Sequence, residues 1–176
     1  MFAHNLSNIG ELTAKAHRSK RSHLQSRPTQ TGQNSMQNAL TYAAPLGRLL
    51  LSFMFILSGF QKITGYAGTQ GYMEMMGVPG GLLPIVILVE VVGGIALLIG
   101  WQARWAALAL AGFSLVSGVL FHLIPSFGME DAMAAQAQMI SFMKNVTIAG
   151  GMLMVVAFGP GAWSVSKREP LLAPAE

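Results

Sequence analysis

Four long apolar runs, separated by short polar connections, dominate the chain from about residue 45 onward. They cover roughly Pro45 to Thr64, Leu82 to Gly100, Arg104 to Ile124, and Gln136 to Gly159. Each is near the ~20 residues that carry a helix across a bilayer. Lipid offers no hydrogen-bond partners, so a spanning backbone must satisfy itself, which favours helices over open strands. The pattern therefore predicts an all-α integral membrane protein, a four-helix bundle occupying residues 41–166. Residues 167–176 follow as a short tail.

Residues 1–40 read differently. They are rich in Ser, Gln, Asn and His, and carry Lys15, Arg18, Lys20, Arg21 and Arg27 against a single acid, Glu11. Such a stretch cannot bury a core and is expected to be disordered. It lacks the apolar stretch of a secretory signal peptide. Three readings stay open: a cytoplasmic tail, an Arg- and Ser-rich targeting peptide, or an upstream extension with translation starting at Met36. His4, His17 and His23 lie in this block and receive no role.

Composition supports lipid as the solvent: 52% of the 176 residues are hydrophobic and 10% charged, where a soluble domain carries about 25% charged residues. With no cysteine, disulfides, thiolate metal sites and dithiol redox chemistry are excluded. The 12 methionines read as apolar filler. The positive charge is not a nucleic-acid signal, because of where it falls. Lys62 and Lys144 lie within the runs. The other Lys and Arg residues are in the N-terminal block, at Arg48, at Arg104 and at Lys167 and Arg168. Connections 65–81 and 125–135 contain none, and hold Glu74, Glu130 and Asp131 instead. The positive-inside rule then places both termini and the short middle turn in the cytoplasm. Trp101, Trp105 and Trp163 fall at the same helix ends, as interfacial anchors do. The glycine-dense connection 65–81 must fold back at the membrane surface and is long enough to cap the bundle.

Ionisable groups inside a span are costly and read as functional or internally paired. Here they are Lys62, Glu90, His122 and Lys144, with Gln61 and Asn145 beside them. At ~1.5 Å per residue, Lys62 and His122 lie ~3 Å below the outer boundary, and Glu90 and Lys144 ~12 Å below it. Each shares a helical stripe with small or buried-type residues. Arg48, Ser52, Phe55, Gly59 and Lys62 align on the first helix, and Glu90 with Gly93 and Gly94 on the second. Ala107, Ala111, Ser114, Gly118 and His122 align on the third, and Lys144, Thr147, Ile148 and Gly151 on the fourth. Small residues mark close helix approach, so a polar pocket open to the outer side is expected. The plainer alternatives stand beside it. Glu90 and Lys144 could form a structural ion pair that fixes register. Lys62 could snorkel to headgroups. Arg48 reads as an interface anchor. A metal at His122 is not expected, since no second ligand lies in the membrane region.

These pieces together resemble the DoxX family of small four-helix inner-membrane proteins. The resemblance rests on LGRLLLSFMFILSGFQKI, GVPGGLLP, LVEVVGGIALLIGWQARWAA, LFHLI, FMKNVTIAGGML and the closing GPGAWSVS, in that order over about residues 45–166. Arg48, Gly59, Lys62, Pro79, Glu90, Gly93, Gly100, Arg104, Lys144, Asn145 and Gly151 occupy its motif positions. Relatives often continue the closing run with Leu-Asp, where this chain has Val165, Ser166 and Lys167. The resemblance implies a multi-pass protein of the bacterial inner membrane. Some relatives are subunits of a thiosulfate:quinone oxidoreductase, others accompany a superoxide dismutase and a sulfurtransferase, and many have no known activity.

The leading expectation is a quinone- or lipid-binding subunit that supports a membrane oxidoreductase, with no covalently bound cofactor. Lys62, Glu90, His122, Lys144 and Asn145 are the candidate binding residues. Lys144 or His122 would hydrogen-bond a quinone carbonyl, and Glu90 would accept a proton; these three are the catalytic candidates. A redox partner protein and a homo-oligomer are the partners considered. A small proton-coupled exporter and a non-catalytic assembly factor are the alternatives.

Overall fold

A computed structural model describes the backbone of residues 30–166 and the side chains of residues 41–166. The chain divides into two compact units, residues 1–40 and 41–176, and the architecture below is that of the second. The expectations for residues 1–29 and 167–176, and for side chains up to residue 40, fall outside the described residues.

Four helical spans, Thr41–Thr64, Gly80–Ile99, Ala103–Ser126 and Ala132–Phe158, are long and apolar enough to cross a membrane. The first belongs to α1 (Gln30–Thr64), which continues through Pro45. Proline removes one amide donor from that turn, yet the span starts before it rather than at it. A short α2 (Tyr66–Met75) follows, within the glycine-dense connection. Its end is closed by Gly77 at φ 75°, with Val78 N–H donating to the Met73 carbonyl at 2.9 Å. A 3-10 turn (Gly80–Leu82) leads into α3 (Leu83–Ile99), with a proline in its first turn. The third span is α4 (Ala103–Gly118), extended by a π-helical turn (Val119–Leu123) and a closing turn (Ile124–Ser126). The last, α5 (Ala132–Phe158), starts at Asp131, whose carboxylate accepts from Met133 N–H at 2.9 Å. That contact satisfies one of the unpaired first-turn donors.

Small residues set the packing. A β-carbon at Gly59 would lie 2.5 Å from Val91 Cγ2, and one at Gly94 would lie 2.9 Å from Ile56 Cγ1, so α1 and α3 touch nearly backbone to backbone. Gly93 meets Leu110, Gly118 meets Asn145, and Gly151 meets Leu51. The spans therefore close a ring, α1 to α3 to α4 to α5 and back to α1. In lipid, where apolar surface alone does not drive helices together, such close contact supplies the association. The buried cluster of Phe55, Leu97, Ala103, Ala107, Leu110, Ala111, Ala149 and Met152 fills one half of the ring.

The stripes predicted on α1, α3 and α4 face inward, but the one on α5 is split, with only Ile148 and Gly151 packing against the bundle. Asn145, Ala149 and Met152 point toward the bundle, and Lys144 and Thr147 are exposed. The α5 sequence is apolar nearly all round, so its period does not select a face. A one-residue rotation moves a side chain by about 100°.

Arg48 also departs from expectation. It is 3% exposed rather than an interface anchor. Its Nη2 donates to the carbonyls of Ala162 at 3.2 Å and Trp163 at 3.0 Å. Nε and Nη1 have no hydrogen-bond partner among the described residues. The segment after α5 folds back across this end of the bundle, with Val165 and Ser166 N–H donating to the Ile99 and Gly100 carbonyls at 3.0 and 3.1 Å. Gly100 makes this possible: it ends α3 at φ 71°, and a β-carbon there would lie 2.6 Å from Arg48 Nη1. Trp101, Trp105 and Trp163 surround the same end, each more than half exposed, and Tyr42 meets Trp163 edge-on at 5.3 Å.

An Arg48→Met variant is expected to free the closing segment, so that hydrogen exchange at Val165 and Ser166 rises while the helix cores keep their protection. Gly100→Ala is expected to cost about 1–3 kcal/mol from the left-handed backbone alone, read by unfolding in micelles.

Candidate functional site

At the end opposite Arg48 the ring is not filled. A cavity of about 290 Å³ lies there, walled by Met54, Phe55, Val86, Phe113 and Phe121 and closed over by Thr69, Tyr72 and Met73 of α2. The α2 helix is the cap that the length of the 65–81 connection suggested. Met73 anchors it, 4% exposed, and Tyr72 stacks on Phe121 with ring centres 5.8 Å apart.

Polar groups converge on this apolar space. Lys62 Nζ lies 2.9 Å from both Glu90 carboxylate oxygens. It also donates to Ser58 Oγ at 2.7 Å, and Ser58 in turn donates to Glu90 Oε1 at 3.1 Å. Glu90 Oε2 has only the ion pair, with no well-aligned hydrogen bond. The Glu90 side chain is 4% exposed and that of Lys62 25%. The close approach at Gly59 places the pair, since a β-carbon there would also lie 3.3 Å from Glu90 Cβ.

Sequence reasoning had offered Lys144 as the partner of Glu90, and the structure gives Lys62 instead. The reason is the direction of side chains on a helix. Cα–Cβ bonds tilt toward the N-terminus, so Lys62, near the C-terminal end of α1, reaches back into the bundle. It passes Ser58 one turn earlier and meets Glu90 rather than snorkelling outward. The difference in backbone depth is spanned by the lysine stem. Lys144 is exposed and does not line the cavity. Gln61 is exposed as well.

His122 and Asn145 complete the lining, with Ser117 between them. His122 stands on the π-helical turn, a local widening often found at functional sites. Its Nδ1 lies 2.7 Å from Gln138 Oε1. An amide oxygen only accepts, so Nδ1 is the donor in this contact, and Nε2 is the ring nitrogen left for a ligand. Asn145 Nδ2 donates to the Ser141 carbonyl at 3.1 Å. Among the described residues no group of three His, Cys, Asp or Glu side chains could hold a metal. Lys62, Glu90, His122 and Asn145 are thus brought together. Sequence reasoning missed Ser58, Thr69, Tyr72, Ser117 and Gln138. Ser58 had a signal, one turn from Lys62 on the same stripe; Gln138 had none short of the α4–α5 packing.

The fold and site define a class: a small multi-pass protein of four membrane-spanning helices with a capped, partly polar interior. Comparison with known proteins gives that class its name. The DoxX family model matches residues 43–123. Inner membrane protein YqjF of Escherichia coli (strain K12) is 48% identical over 122 residues, 69% of this chain and 88% of the relative. Inner membrane protein YphA of the same organism is 34% identical over 125 residues, 70% and 87% of the two chains. No solved structure matches. The chain belongs to the DoxX family and is a multi-pass inner-membrane protein.

Removing one member of a buried ion pair strands the other, at a cost of roughly 3–5 kcal/mol. Lys62→Met is expected to approach that loss in micelle unfolding. A Lys62→Met/Glu90→Leu double variant is expected to recover most of it. Additive single and double effects would show that the two residues are not coupled.

Proposed function

We propose that the cavity binds the head group of a quinone or quinol, or of a lipid of similar size, and that the chain serves as a membrane subunit supporting an oxidoreductase. The observation that carries this reading is the cavity itself: an apolar, aromatic-walled space inside a lipid-embedded bundle, with a lysine–carboxylate pair and a histidine in its lining. Its volume, about 290 Å³, sits at the lower edge of the ~300–1,000 Å³ typical of small-molecule sites. That size suits one ring, with an apolar tail leaving between helices into lipid.

The residues divide the work by chemistry. Lys62 is the donor beside a carbonyl position, its ammonium held by Ser58 and Glu90. His122 Nε2 is an acceptor for a hydroxyl, and Glu90 is the carboxylate that takes or returns a proton through Lys62 and Ser58. Phe113, Phe121 and Tyr72 provide faces for stacking. The chain has no cysteine, and its described residues hold no ligand cluster. Electrons are therefore assigned to the ligand and to a partner protein.

Orientation belongs to the same proposal. Arg48, Arg104 and the three tryptophans lie at one end of the bundle, and Glu74, Glu130 and Asp131 at the other. Under the positive-inside rule the cavity then sits in the outer half of the membrane and both termini face the cytoplasm.

Protein extracted in native lipid is expected to carry quinone or a stoichiometric lipid, identified by mass spectrometry. Ser117→Trp, which fills the cavity, is expected to abolish that occupancy. His122→Leu is expected to weaken a short-chain quinol roughly tenfold, about 1.4 kcal/mol. A chain that carries no such ligand, with quinol binding indifferent to both variants, would sink the reading.

A further inference from the structure

Lys144 is the ionisable group that the cavity leaves unused. It stands close to the middle of the 27-residue α5, exposed on the outside of the bundle. It makes no hydrogen bond or ion pair among the described residues. Twelve residues separate it from Ala132, ~18 Å of helix at ~1.5 Å per residue. An intramembrane charge of this kind calls for a counter-charge. The described residues supply none: Glu90 is the acid within the spans, and it is buried on Lys62. A second copy of the chain therefore has no free in-span carboxylate to offer.

The face around Lys144 has further properties of a contact surface. It carries Ile140, Met143, Thr147, Gly150 and Met154, all exposed, and nothing lies within 4 Å of a β-carbon built on Gly150. A small, uncovered step beside a polar residue lets another helix come close. The α5 span is also the least covered of the four, 11% buried against 22%, 28% and 28%.

We propose that this face of α5 is the docking site for a transmembrane helix of a different membrane protein, one carrying an Asp or Glu at the depth of Lys144. The lysine and the partner's carboxylate neutralise each other in lipid, and Thr147 and Gly150 admit the partner's backbone.

The test uses the full chain in its native membrane, with a photo-crosslinking amino acid replacing Thr147 and, as control, the lipid-facing Leu88 of α3. A protein adduct is expected at 147 and absent at 88. Its partner, identified by mass spectrometry, should carry an acid within a span. Lys144→Glu should lower the yield at least tenfold, and a lysine in place of the partner's acid should restore it. Adducts with lipid alone, with a second copy alone, or with a protein lacking an in-span acid would each overturn the proposal. So would a yield indifferent to Lys144→Glu. Lys144→Leu guards against misfolding. The purified variant should be at least as stable as the parent and keep its cavity ligand while losing the adduct; a destabilised variant would assign Lys144 to the chain's own packing and overturn the proposal.

Discussion

Where α1 crosses α3, two glycines remove the side chains that would hold the helices apart. Gly59 seats against Val91 and Glu90, and Gly94 against Phe55 and Ile56. That crossing brings Ser58, Lys62 and Glu90 within hydrogen-bond reach of one another. Without it, a lysine and a carboxylate would each face lipid or open bundle space, which the membrane tolerates poorly. The close approach lets the charges meet, and the ion pair in turn links the two helices at the crossing.

The two ends of the ring then follow different rules. One is packed with alanine, leucine and methionine, and sealed by the closing segment held on Arg48. The other is left open at its centre and covered by α2. A buried arginine with only part of its hydrogen bonding met is an uncomfortable group, and the two carbonyls of the closing segment are its principal compensation. The cavity end is closed differently. Its cap is a short helix between Gly65 and Gly77, resting on Met73 and one aromatic stack.

The two intramembrane lysines are a useful contrast. Lys62 and Lys144 look alike in sequence, each beside an amide residue and near small residues. Lys62, late in its helix, reaches back toward the bundle interior, where Glu90 waits. Lys144 is turned outward by the packing of Asn145, Ala149 and Met152, and there its charge has no partner among the described residues. One lysine belongs to the chain's interior and the other to its surroundings.

Four spans, their helical nature and their approximate limits were legible in the run lengths, because lipid leaves a backbone few other choices. The inward stripes of α1, α3 and α4 were legible as well, since small and polar residues recur there at helical spacing against a bulkier lipid-facing side. The α5 face was not, because that helix is apolar all round and its orientation depends on what its neighbours present. Nor could sequence spacing choose between Lys62 and Lys144 for Glu90, or place Gln138 on His122. Those outcomes depend on side-chain direction and on which helices touch, and they are decided only when the ring closes. Sequence alone determined that this is a membrane bundle with charges inside its spans. Tertiary structure decided which charges meet, because a few ångströms of helix approach and one residue of rotation separate a buried ion pair from a lysine facing lipid.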